Sequence, residues 1–304
     1  MNSSFSQASP NLQIAWDSTS LGYLKTCPRQ YYYRMVLGKE PKGRSDDLTF
    51  GLLLHSVVER YNLNKYRQEM GHNENLEEVF TWAWKEARQW KTENTIKNRY
   101  TLLRTLVWYL DRMADDPLRT RVLASGRPAI ELSFNFESPY HTRGGEPFIL
   151  CGHIDRIATM GDRDYITDIK TTKNALDERF FAGFTPDNQF TLYALAGKTI
   201  FGIPIEGLIV DGVEVKVGFS RFRRALISRS SEQIEEWLRD LEWWLRQAED
   251  FARAEYWPMN DKACFRCPFR AICSHNPSAR DIWLDGDEHF VERVWDPIKT
   301  RGDI

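Results

Sequence analysis

The stretch CGHIDRIATMGDRDYITDIKTTK, Cys151 to Lys173, decides the fold. Two runs rich in Ile, Leu, Phe and Tyr, residues 148–158 and 164–169, flank the turn pair Gly161-Asp162. Extended apolar runs about such a turn predict a β-hairpin. With the turn centred on Gly161-Asp162, Asp155 and Asp168 fall opposite each other. Side chains two apart on a strand share a face, so Lys170 points the same way as Asp168. His153 shares the face of Asp155. Two carboxylates and an ammonium then meet on one sheet face, a site for a divalent cation and an attacking water. A D-x-K alone is more often an ordinary surface ion pair. The register and the remaining motifs decide against that reading.

The residue types suit the chemistry. Two facing carboxylates repel, and one would stay protonated without a cation. Mg²⁺ or Mn²⁺ takes oxygen ligands and removes the conflict. Such an ion polarises a phosphoryl oxygen and acidifies a bound water. A lysine beside it stabilises the charge that develops in phosphoryl transfer.

The chain has 304 residues, 42% hydrophobic and 28% charged, with a net charge of −2. That composition predicts an ordinary globular chain, and any DNA binding must use a local basic groove. The polar start, MNSSFSQASPNLQ, lacks a signal-peptide core, and no apolar run reaches spanning length. A cytoplasmic location in a bacterial, archaeal or phage-infected cell is expected, with no membrane partner. Five cysteines there are not expected to form structural disulfides. Cys264, Cys267 and Cys273 form C-x2-C-x5-C, and Cys27 stands far upstream in TCPRQYYYR. Three clustered thiolates and a distant fourth suit an iron–sulfur cluster or a Zn²⁺. Such a centre would join the N- and C-terminal segments. Cys151, in an apolar strand, reads as a small buried hydrophobe.

Elsewhere, residues 1–15 read as disordered and 18–37 as helical, capped by Ser18 and Thr19. Residues 38–48 read as a loop. Residues 49–66 read as a helix with His55 and Glu59 on one face. Residues 62–125 read as a helical insertion or lid. AIELSFNF, residues 129–136, alternates as a half-buried strand. Residues 187–198 read as a helix capped by Asp187, with Gln189 and Tyr193 on one face. Residues 206–219 and 221–228 read as a strand pair ending the sheet. A long amphipathic helix, capped by Ser230 or Ser231, runs to residue 256, and 281–304 reads as a tail. One domain over 16–280 is expected, with no internal repeat.

In chain order the motifs are Cys27, G-x3-H at Gly51–His55, Glu131, G-x-I-D at Gly152–Asp155, D-I-K at Asp168–Lys170, Q-x3-Y at Gln189–Tyr193, and the cysteine triplet. This ordered set resembles the PD-(D/E)XK nuclease superfamily in its RecB-like branch, nearest to CRISPR-associated iron–sulfur exonucleases and AddB-type nuclease domains. The resemblance implies an α/β, restriction-endonuclease-like fold: a mixed central sheet flanked by helices. It implies that His55, Asp155, Asp168 and the Ile169 carbonyl hold Mg²⁺ or Mn²⁺, and that Lys170 positions the water. Gln189 and Tyr193 would brace the site or touch DNA, and Glu131 would be a further acid. Cys27, Cys264, Cys267 and Cys273 would hold a structural [4Fe–4S] cluster, with Zn²⁺ the alternative. The second acid is Asp rather than Glu, which the family tolerates.

The function implied is a metal-dependent deoxyribonuclease, an exonuclease on single-stranded DNA or DNA ends. Recombination, repair, phage DNA processing or CRISPR adaptation would be its setting. The rival is a non-catalytic DNA-end-binding or docking subunit, which usually lacks one of the acids or the lysine. Arg29, Arg34 and His153 are candidate DNA contacts, although the aromatic run Tyr31–Tyr33 more simply packs around the cysteines. No Walker A loop is present, so a helicase would be a separate partner, as would any recombination or CRISPR protein. Nothing marks an oligomeric interface.

Overall fold

The computed structural model describes residues 4–43, 45–286, 289–293 and 295–299. The chain opens with β1 (Ala15–Trp16), α1 (Ser18–Thr26), α2 (Pro28–Tyr31), a π-helical turn (Tyr32–Val36) and β2 (Lys39–Pro41). The helices α3 (Asp46–Glu69), α4 (Leu76–Ala87) and α5 (Arg99–Met113) follow. Next come β3 (Arg119–Thr120), β4 (Ile130–His141), β5 (Pro147–Met160) and β6 (Arg163–Thr172). The rest is α6 (Glu178–Ala182), α7 (Asn188–Phe201), β7 (Ile205–Val215), β8 (Ser220–Ile227), α8 (Ser231–Ala254), α9 (Arg270–Ser274), α10 (Arg280–Asp285) and β9 (Phe290–Glu292).

The chain divides into two discontinuous compact units. One comprises residues 44–132 and 153–229, the other 1–43, 133–152 and 230–304. Strands β4 and β5 contribute residues to both, which is why no linker marks the division in the sequence.

The 44–132/153–229 unit carries the expected hairpin. β5 and β6 pair antiparallel from Met160–Arg163 to Arg156–Thr167, around Gly161, whose φ of 66° suits a residue without Cβ. β6 pairs parallel with β7, and β7 antiparallel with β8, so the sheet is mixed. Nine consecutive residues of β7 are buried, as expected of a strand covered on both faces. Helices α3, α4 and α5 share one core with the sheet through Leu54, Val57, Ala83, Leu106, Ile169 and Val213. The helical stretch expected to be an insertion or lid is therefore structural core, because its apolar periodicity is spent on the sheet. Ser45 caps α3 by accepting from the Leu48 amide, and Asp187 caps α7 by accepting from that of Phe190.

The other unit corrects several readings. Residues 4–15 are ordered: Leu12 and Ala15 are buried, and β1 pairs parallel with β5 through Ala15–Ile149 and Trp16–Leu150. Polar composition concealed a two-residue strand and its buried tryptophan. The helix expected over 18–37 breaks at Cys27, which is extended ahead of Pro28, and its cap is Asp17 rather than Ser18 or Thr19. Residues 39–41, expected as loop, pair with β9, which lies in the expected tail. No local signal links strands that far apart. Residues 1–3 and 300–304 lie outside the described residues. Ser230 caps α8 with Gln233 in a reciprocal capping box, and Trp237, Leu241 and Leu245 are buried. Among the described residues, no helix is long and apolar enough to cross a membrane.

Candidate active site

The hairpin register, extended one residue past Arg156–Thr167, sets Asp155 opposite Asp168. Two residues on along β6 stands Lys170. Its ammonium lies 3.1 Å from Asp168 Oδ1 and 2.9 Å from Oδ2. It also donates to Gln189 Oε1 at 2.9 Å, and Gln189 Nε2 donates to the Tyr193 hydroxyl at 2.9 Å. The i, i+4 spacing on α7 puts Gln189 and Tyr193 on one face, so helix and strand together fix the lysine. From α3, His55 Nδ1 lies 2.9 Å from Asp155 Oδ2. The Asp168 side chain is only 2% exposed, whereas those of His55, Asp155 and Lys170 retain 29%, 23% and 28%.

These contacts set the charges. Burial pushes the Asp168 carboxyl up to about 6, Asp155 adds to the rise, and Lys170 and His55 oppose it. Burial alone would lower the His55 pKa, but the hydrogen bond and charge of Asp155, with the charge of Asp168, raise it. Burial likewise opposes the Lys170 ammonium, and Asp168 more than offsets it. The site is thus an interlocked group of two acids and two bases.

A cavity of about 30 Å³ is lined by His55, Glu59, Glu131, Asp155, Asp168 and Ile169 among others. That is room for one or two water-sized species. Glu131 reaches it from β4 in a left-handed conformation (φ 49°), unusual for a non-glycine residue in a strand. The regular alternation read from AIELSFNF does not anticipate this departure. Glu59, Asn62, Arg156, Thr167 and Asp211 also line the cavity. Of these, sequence reasoning placed only Glu59 near His55, through its i, i+4 spacing. His153 is half-buried on β5 and is not among the lining residues.

Two carboxylates and an imidazole around a cavity of this size fit a small hard cation by donor chemistry. As they stand, Lys170 and His55 engage the acids. Among the described residues, no group of three or more His, Cys, Asp or Glu side chains stands ready to hold a metal ion.

The same holds for the cysteines. Cys27 is buried, Cys264, Cys267 and Cys273 are half-buried, and none is in a disulfide. Burial raises the Cys267 and Cys273 thiols, and Cys27 and Cys264 add to the rise in both. The Asn260 amide points at Cys27 Sγ, 3.4 Å away. Four thiols of this kind suit a soft metal or a cluster, but the structure shows no formed cluster site. Around them pack Tyr33, Phe269, Ile272 and Phe290. Arg34 lies over the rings of Tyr23 and Phe269, at 4.9 and 5.9 Å, and Arg29 Nε donates to the Trp257 carbonyl. Both arginines expected as DNA contacts are thus engaged in packing beside the cysteines.

A family model of the PD-(D/E)XK nuclease superfamily matches residues 18–274. No curated protein matches the chain. Among solved structures, a protein from Eubacterium rectale named "Putative exonuclease" aligns with a TM-score of 0.53 at 13% identity, over 91% of this chain and 94% of its own. That likeness shows a shared fold, a mixed α/β architecture with a central mixed sheet flanked by helices. The solved structure of SSO0001 aligns at a TM-score of 0.36 and 14% identity, over 86% of this chain and 87% of its own, too distant to carry an argument.

Proposed function

The chain belongs to the PD-(D/E)XK nuclease superfamily, and from that premise we propose that it hydrolyses DNA phosphodiester bonds with a divalent cation, as an exonuclease on single strands or DNA ends. The observation that carries this reading is the facing pair Asp155 and Asp168 with Lys170 bound to both Asp168 and Gln189. A merely structural Asp–Lys pair has no need of a second acid, a histidine and a cavity. Members of the superfamily generally use divalent metals such as Mg²⁺.

In this reading His55, Asp155, Asp168 and the Ile169 carbonyl hold the ion. When bound, it supplies Lewis-acid polarisation of the phosphoryl oxygen and acidifies a water. Lys170, aimed by Gln189, keeps a positive charge where negative charge develops and orients the nucleophile. Tyr193 fixes Gln189 by hydrogen bonding. Glu131, in its unusual conformation, adds a carboxylate to the cavity. The cysteine quartet, loaded with a [4Fe–4S] cluster, would be structural. The exonuclease assignment leans on the fold shared with the Eubacterium rectale protein and on the ordered motifs. A strand-separating helicase would act as a separate partner.

The test is cleavage of end-labelled single- and double-stranded DNA with Mg²⁺ or Mn²⁺, by anaerobically purified wild type and by Asp168→Ala. Degradation that vanishes in the variant supports the reading, and label position gives polarity. Folded wild type that cleaves nothing overturns it.

A further inference from the structure

Register partners on adjacent strands share a face. Lys170 pairs with Gly212 of β7, and Gly212 with Arg223 of β8. The three form one row across the sheet, with Lys170 and Arg223 separated by two strand spacings, roughly 10 Å. The middle position has no side chain, and the space is taken by α6. A Cβ on Gly212 would meet Leu176 at 2.8 Å and Phe180 and Phe181 at 3.1 Å. The glycine therefore seats α6 between the proposed catalytic lysine and an exposed arginine.

The makeup of α6 and the loop after it is unusual for a docked segment. Phe180, Phe181 and Phe184 crowd into five positions, yet all three are only half-buried and no residue of α6 is fully buried. Their rings form an edge-to-face ladder: Phe180–Phe181 at 5.0 Å, Phe180–Phe184 at 5.2 Å, and Phe184–Phe190 at 5.5 Å. The ladder ends beside the site, where Lys170 Nζ lies 5.8 Å from the centre of the Phe190 ring. At its other end the Arg223 guanidinium lies 5.3 Å from the centre of the Phe181 ring, held by a 2.9 Å bond to the Leu176 carbonyl. Arg179 is exposed on the same short helix. Half-exposed flat rings edged by guanidinium groups are what an unpaired base and its phosphates recognise.

We propose that Phe181 and Phe184, flanked by Arg223, form a nucleobase-stacking subsite for the base next to the phosphate held at Lys170. This rests on the nuclease reading for the identity of the strand. The occupant is a base rather than a peptide, because the half-exposed rings are bordered by the cations of Arg223 and Arg179 and are linked through the buried Phe190 ring to Lys170.

The experiment measures binding, without divalent cation, of a short oligothymidylate and of an abasic strand of equal length. The wild type is expected to prefer the base-bearing strand about tenfold, as aromatic–base stacking provides. In the double variant Phe181→Leu, Phe184→Leu, which keeps apolar volume but removes flat rings, that preference is expected to fall to about one. Equal wild-type affinities, or an unchanged preference in a folded variant, overturn the proposal. A 5-iodouracil strand irradiated on the wild type needs no variant: crosslinks at 179–184 support the subsite, and crosslinks only elsewhere overturn it. Crosslinking at α6 by a protein that cleaves nothing sinks the nuclease reading alone. Cleavage with crosslinks elsewhere sinks the subsite alone.

Discussion

Lys170 has its position set from two sides, by the Asp168 carboxylate on its own strand and by Gln189 on α7. Truncating it to Met should lower kcat by about 10²–10⁴-fold, in the range of a lost transition-state charge contact, with little change in DNA affinity. Gln189→Ala leaves the ammonium in place but unaimed, so a smaller loss, about tenfold, is expected in single-turnover cleavage. Cation binding has its own readout. Mg²⁺ or Mn²⁺ at about a hundredfold its Kd should stabilise the wild type by about 2.7 kcal/mol and leave Asp168→Ala unmoved in a thermal melt. Asp155, Asp168 and Lys170 were legible in the sequence because a hairpin turns spacing into geometry: one turn and a period of two locate all three. Asn62, Arg156 and Asp211 were not, because they meet the cavity through contacts between a helix and different strands, which no local period encodes.

Between elements, Arg224 of β8 ties the loop after α5 to β7. Its guanidinium contacts both oxygens of Asp116, at 2.9 and 2.8 Å, and both of Asp211, at 2.6 and 2.9 Å. Burial pushes the Asp116 carboxyl up, but the hydrogen bonds and charge of Arg224 outweigh it and hold it below the usual range. The folded protein therefore takes up this proton less readily than the unfolded chain. The stability it contributes is present above about pH 4 and is lost as the pH falls through the lowered value. Asp116→Asn should cost roughly 1–2 kcal/mol at pH 7 by thermal melting, and wild type and variant should converge in acid. At Gly212, Val would drive a side chain into Leu176, Phe180 and Phe181, with an expected loss of about 1–3 kcal/mol. Caps at Asp187 and Ser230 were readable beforehand because capping is a local transaction of three residues. The strand at 39–41 depends on a partner more than two hundred positions away, and so was misread as loop, whereas the break at Cys27 lies ahead of Pro28, a local signal that the helical reading passed over.

At the scale of the molecule, the division into two compact units has no linker to mark it in the sequence, because strands β4 and β5 contribute residues to both. Beside the cysteines, Tyr33, Phe269, Ile272, Leu284 and Phe290 form a small cluster of buried apolar side chains. A metal centre would add substantially to it. Anaerobic protein should be brown, and Cys267→Ser should bleach it and expose the 261–285 segment to limited proteolysis before the hairpin is cut. Colourless protein that binds stoichiometric Zn²⁺ would favour the zinc alternative. The segments that carry these cysteines also leave the ribosome at very different times. Cys27 accepts from the Asn260 amide, a partner 233 residues further along the chain. At the usual pace of translation, that thiol waits on the order of ten to fifty seconds before its neighbours exist. A buried cysteine of the finished protein is thus a bare one on the nascent chain, open meanwhile to oxidants and stray metals. Cells that make this protein have reason to keep that interval reducing.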